Sequence, residues 1–178
     1  MIERPILFKG EMVQAILRGE KTQTRRIVKP RKGGLHGLVF RDIVAGEATF
    51  LDPSGWASQR VRSPYGVLGN GLWVRETWAQ RVVSGNLYTF YRADCEPDGD
   101  GAPWHPSIFM SRNNSRIDLF LTGLRVERVQ EITDTDARAE GVADRDAYAA
   151  LWDKINAAQP FGAWRANPFV WVVGFERM

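Results

Sequence analysis

The sequence predicts an α+β protein, a mostly antiparallel β-barrel with short flanking helices. Three observations carry that prediction. Strand-like runs with alternating apolar and polar residues recur along the chain, helical periodicity is confined to a few short segments, and Gly-, Pro- and Ser-rich stretches separate them. The 178 residues fit one domain, 1–178, with an inserted loop-rich region at about 30–70.

In chain order, Gly10 to Gly19 reads as an amphipathic helix. Met12, Val13, Ile16 and Leu17 share a face, and Gly19 stands where a C′ glycine ends a helix. Thr22 to Val28 mixes β-branched and charged residues and enters a strand. Residues 30–71 are too long for a structureless loop, and "LVFRDIVAGEATFLD" within them reads as a hairpin. "LWVRETWA", Leu72 to Ala79, reads as a strand with Leu72, Val74, Glu76 and Trp78 on one face. "NLYTFYRA" follows through the turn "SGN" as its hairpin partner. "CEPDGDGAPWHP" is an acidic loop. "RIDLFLTGLRVERVQEI" is one long strand, or two with a bulge at Gly123. "TDTDARAEGV" is a short helix capped by Thr133 or Asp134 and ended by Gly141. Asp146 to Ala158 is a helix with Tyr148, Leu151, Trp152 and Ile155 inward, and "NPFVWVVGFER" is the last strand.

Composition narrows the function classes. Apolar residues are 44% and charged residues 25%, the balance of a folded soluble chain. No apolar run reaches the ~20 residues that span a bilayer, and the N-terminus lacks a signal-peptide h-region, so a cytoplasmic protein without a membrane partner is expected. The lone Cys95 excludes an internal disulfide, and His36 and His105 lack ligand-spaced companions, so neither metal nor cofactor is expected. Charge is uneven. Lys21, Arg25, Arg26, Lys29, Arg31, Lys32 and Arg41 stand together without an acidic residue, leaving 17 of the 24 basic residues against 21 acidic ones elsewhere, a net of −4. That segment reads as an anion site of the kind that meets phosphates, or as a solvated basic loop.

Three groups of residues carry chemistry. Lys21 and Thr24 lie three apart, so they converge only if the chain turns between Gly19 and Thr24. Converged, they form a base–nucleophile pair; otherwise they are a polar turn. Glu76 is the one carboxylate on an apolar strand face, either an acid–base group with a raised pKa or the partner of an arginine. Ser111 and Arg112, followed by Asn113 and Asn114, suit phosphate or base-edge contacts, or an ordinary turn. Trp73, Trp78 or Trp104 would stack on a base, while Trp152 and Trp171 read as core.

The pattern in "GEKTQTRR", joined to "LWVRETW", resembles the ASCH-domain family of the PUA-like β-barrel superfamily. With "RPILFKGEMVQAILRGEKTQTRR", "WHPSIFMSR" and "ALWDKINA…NPFVWVVGFE", nearly the whole chain resembles the longer members found in phages and prophages. The resemblance implies a small β-barrel with a helix-lined cleft, and a bacterial or phage-infected cell as the setting. Some short relatives are amidohydrolases that deacetylate N4-acetylcytidine with a lysine, a threonine and a glutamate. Carried onto matching positions these are Lys21, Thr24 and Glu76, with Arg25, Arg26 and Arg112 on phosphate or oxyanion and Trp78 stacked on the base. Other relatives are ribonucleases or RNA-binding modules. The expected partners are accordingly RNA, a nucleoside or modified single-stranded nucleic acid, bound with or without turnover.

Overall fold

The computed structural model describes residues 2–30, 34–35, 37–56, 58–94 and 103–178. Among them are ten strands: β1 (Glu3–Leu7), β2 (Gln23–Ile27), β3 (Val39–Val44), β4 (Glu47–Leu51), β5 (Ser58–Arg62), β6 (Gly71–Arg75), β7 (Trp78–Val83), β8 (Asn86–Tyr91), β9 (Asp118–Arg128) and β10 (Phe169–Arg177). The α-helices are α1 (Gly10–Leu17), α2 (Asp134–Ala139) and α3 (Arg145–Asn156). The class is α+β with mostly antiparallel pairing; β1 and β6 run parallel. A five-stranded sheet has the order β1-β6-β9-β10-β2, beside a three-stranded sheet β3-β4-β5 and a β7-β8 hairpin. No closed barrel forms among the described residues; the strands fall into these three sheets.

The long central pair β9–β10 carries the sheet. Its alternation divides two cores, because successive side chains point to opposite faces. Phe169, Trp171, Val173 and Phe175 join the main core with Ile6, Phe8, Val13, Leu72 and Phe50. Val170 and Val172 join the smaller core under α2 and α3, with Tyr148 and Trp152. The expected bulge in β9 is present: Gly174 pairs with Gly123 but Phe175 with Leu121, so Thr122 is the extra residue. Two glycines meet there, where a Cβ on Gly174 would come within 3.4 Å of the Gly123 backbone nitrogen.

Several expectations change. "LWVRETWA" is not one strand: β6 ends at Arg75, and Trp78 opens β7 in a different sheet. Alternation continued across the break and concealed it. The hairpin lies one strand later, β7 to β8, turning at Ser84 and Gly85, both with positive φ (51° and 83°). The 30–70 region holds β3 to β5, an ordered antiparallel sheet whose Phe50 and Val61 belong to the main core. β1 was not legible in "ERPIL". It owes its place to pairing with β6, nearly seventy residues away. Of the acidic loop, 95–102 lies outside the described residues, as do Cys95, His36, Arg31 and Lys32. No described helix is long and apolar enough to cross a membrane.

Candidate functional site

The turn that would unite Lys21 with the strand is present. α1 ends at Arg18, and Gly19 adopts φ +75°. The Glu20 and Lys21 amides then donate back to the Ala15 carbonyl at 2.9 and 3.1 Å, and β2 begins at Gln23. This folds the Lys21 side chain inward until it is fully buried. Its Nζ donates to the Glu140 carbonyl and to Glu140 Oε2, both at 2.7 Å. Glu140 is the C-cap of α2, where unpaired carbonyls favour a cation. Gly141 follows at φ +85°, packed within 3.5 Å of the Lys21 Cβ were it to carry a Cβ of its own. Burial pushes the Lys21 amine below its ordinary value, while the Glu140 carboxylate opposes the shift.

Arg25 is equally buried and is held by three carboxylates. Its Nε and Nη2 donate to Glu127 Oε1 at 2.8 and 2.6 Å, Nη2 lies 3.2 Å from Asp136, and Nη1 donates to Glu140 at 3.3 Å. Its guanidinium carbon stands 5.9 Å from the centre of the Tyr148 ring. Lys21, Arg25, Glu127, Asp136 and Glu140 thus form one ionic network joining β2, β9 and α2, buried at Lys21, Arg25 and Glu140 and half-buried at Glu127 and Asp136. Each charge there has a partner, which burial requires. The cationic segment is therefore divided: Lys21 and Arg25 are neutralised inside the protein, and the anion-site reading does not extend to them.

Beside this network, along the free edge of β2, lies a cavity of about 480 Å³. Such a volume falls within the roughly 300–1,000 Å³ of small-molecule sites. Its polar wall includes Thr24, Arg25, Arg26 and Glu140, and its apolar wall includes Phe8, Tyr148 and Leu151. Thr24 is buried, and its Oγ1 accepts from Arg26 Nη1 at 2.7 Å. Arg26 also donates to the Arg25 carbonyl at 3.1 Å and the Leu7 carbonyl at 2.8 Å. All three partners are neutral oxygens, so its charge is held in place without being cancelled.

The chain matches no protein-family model, no curated protein and no solved structure. The site stands on its own geometry.

Glu76 occupies a different place. It follows β6, is buried to 2% exposure, and is gripped by Arg116, whose Nε and Nη2 donate to its two oxygens at 2.8 and 3.0 Å. Arg116 also pairs with Asp94 and lies 4.0 Å from the centre of the Tyr91 ring. Burial raises the Glu76 carboxyl above its ordinary value, and Arg116 opposes this. Of the two sequence readings of Glu76, the arginine partner is present, and it is Arg116. It lines a neighbouring cavity of about 490 Å³ that shares Lys9, Met12 and Leu151 with the first. Among the described residues no hydrogen bond joins Lys21, Thr24 and Glu76 to one another. The carboxylate that meets Lys21 is Glu140.

The remaining candidates sit elsewhere. Trp78 is half-buried and lies against His105, ring centres 4.9 Å apart. Arg112 is clamped by Glu3 at 2.8 Å and Asp118 at 2.8 Å, and Ser111 is an exposed residue at the start of a 3-10 turn. Neither Ser111, Arg112 nor Trp78 lines the Thr24 cavity; from "WHPSIFMSR" the residue that reaches it is Ser107. Among the described residues no group of three His, Cys, Asp or Glu is placed to hold a metal. Glu140 and Arg116 were missed by sequence reasoning, and Tyr148 was read only as an inward helix residue, which it is. Only Glu140 had a local signal, its position just before a helix-ending glycine.

Proposed function

We propose that the chain is an ASCH-type, PUA-like protein that receives a nucleoside in the cavity beside β2 and hydrolyses an N4-acyl group from a cytidine-type base. One observation carries the reading: the Thr24 hydroxyl, held at 2.7 Å by Arg26, shares a cavity wall with Glu140, the partner of buried Lys21. A threonine hydroxyl is a weak nucleophile and needs a proton acceptor nearby. Lys21 serves once neutral, the form that burial favours. Thr24 Oγ1 bonds to the acyl carbon while its proton passes to Lys21 by way of the Glu140 carboxylate, which lines the cavity and is bonded to Lys21 Nζ. The C–N bond then breaks as that proton moves to the departing cytosine amine. Water cleaves the acyl-threonine ester, releasing the carboxylic acid and restoring the hydroxyl. Arg26 faces the carbonyl oxygen as it gains charge. The carboxylate beside the lysine is Glu140, whereas the resemblance supplies Glu76 as the glutamate of the site.

Recognition without turnover is favoured by a separate observation, the two Glu140 oxygens at 2.7 Å from Lys21 Nζ, which suit a protonated amine. The purified protein incubated with N4-acetylcytidine, followed by loss of the acetylated base in chromatography, tests both. Turnover that falls by about 10²-fold or more in Thr24→Ala and Lys21→Ala is the expected result. Binding without turnover selects recognition alone, and equal turnover in Thr24→Ala refutes the nucleophile.

A further inference from the structure

A third cavity, about 400 Å³, adjoins the Thr24 cavity and shares Arg26, Asn156 and Gln159 with it. It lies between the end of β2 and the last strand of the β3–β5 sheet. Arg26, Lys29 and Arg62 line it, and no aspartate or glutamate does. Lys29 and Arg62 are exposed, and neither forms an ion pair among the described residues, though Glu47 stands opposite Arg62 across the β4–β5 pair. The Arg26 guanidinium is fixed by the Thr24 hydroxyl and the Arg25 and Leu7 carbonyls, so three neutral oxygens orient its charge and leave it uncompensated. The cavity around Glu76 differs. There Lys9, Arg92 and Lys154 share the lining with two carboxylates, Glu11 and the Arg116-bound Glu76.

We infer that the Arg26–Lys29–Arg62 cavity is a phosphate subsite, so that the group bound beside Thr24 is a nucleotide rather than a bare nucleoside. This rests on the nucleoside reading of the Thr24 cavity. Two exposed cations and the oriented Arg26 guanidinium converge on one concavity that no carboxylate lines, and a phosphate there offers each a charge-assisted hydrogen bond. Arg26 is the hinge of the arrangement, facing the reacting end on one side and the phosphate on the other. Tyr65 and buried Trp171 supply the wall behind it. The inserted 30–70 region thereby acquires a role: its strand β5 delivers Arg62, and Tyr65 follows three residues on.

Calorimetry with cytidine, which has no acyl group to lose, its 5′- and 3′-monophosphates and inorganic phosphate tests the inference. One monophosphate is expected to bind about tenfold or more tightly than the nucleoside. Lys29→Ala/Arg62→Ala, both exposed and outside the Thr24 cavity, is expected to abolish that gain while nucleoside affinity and melting temperature stay unchanged. Equal affinity for nucleoside and both monophosphates overturns the inference and leaves the nucleoside reading standing. A gain that persists in the double variant also overturns it. Inorganic phosphate that binds the wild type and not the double variant, with no nucleoside binding, upholds the subsite and removes the nucleoside reading instead.

Discussion

Replacing Glu140 by Gln keeps the size of the side chain and removes its charge from the centre of the buried network. Lys21 keeps its bond to the Glu140 carbonyl at 2.7 Å but loses the carboxylate that opposes its desolvation. Breaking one side of a buried ion pair costs about 3–5 kcal/mol when the other charge must stay. Lys21 has an escape, because it can release its proton. From an ordinary pKa of 10.5, doing so at pH 7 costs at most about 4.8 kcal/mol, and less because burial already lowers that pKa. Arg25 has no such escape but retains Glu127 and Asp136. A loss of about 2–4 kcal/mol at pH 7 follows. Its pH dependence is the sharper test. A lysine whose folded pKa lies below its unfolded one binds fewer protons folded than unfolded between the two values, so stability rises with pH across that window. Glu140→Gln widens the window, and the deficit against wild type should shrink between pH 7 and about pH 9.5. Urea unfolding at both pH values measures it. A deficit that stays constant would refute the assignment of the charge balance to Lys21.

Arg116→Met strips Glu76 of its partner. The buried carboxyl then takes up a proton, which limits the loss at pH 7 to about 3.4 kcal/mol for a group of ordinary pKa 4.5. Because a raised carboxyl binds more protons folded than unfolded, the variant should be nearest to wild type at about pH 4.5 and fall behind as pH rises; denaturant unfolding across that range checks it. Gly141→Ala places a Cβ at φ +85°, 3.3 Å from the Ala15 Cβ, whereas Gly19→Ala at φ +75° meets nothing within 4 Å. Each should cost about 1–2 kcal/mol of backbone strain, with Gly141→Ala costing more by its crowding; thermal unfolding that ranks them in reverse would contradict the packing at the α2 end.

The helix boundaries were legible because they are written locally. Gly19, Thr133 and Gly141 act through their own turns, and the Thr133 hydroxyl accepts from the Asp136 amide at 3.1 Å as a cap should. The Ser84–Gly85 turn and the Gly123 bulge are local in the same sense. β1 was not, since its partner strand decides its state. The site divided along the same line. The turn that buries Lys21 could be inferred from Gly19, but its carboxylate stands 119 residues away. Arg25 and Arg26 are adjacent and looked alike in sequence. Strand alternation turns Arg25 into the helix-side carboxylates and Arg26 onto the Thr24 face with neutral partners, a difference that only the sheet's register expresses.

The order of the large sheet leaves β1 and β2 as its outer strands, each with one side unpaired. Bare strand edges recruit strands from other molecules and seed aggregation. Here β1 carries Pro5, which has no amide proton to offer, and on β2 the Arg26 side chain already occupies the Arg25 carbonyl at 3.1 Å. The guanidinium that faces the cavity also closes the sheet against strand addition. Substituting it frees that edge carbonyl, so a loss of solubility is expected beside any effect on the proposed site, and the two must be read separately.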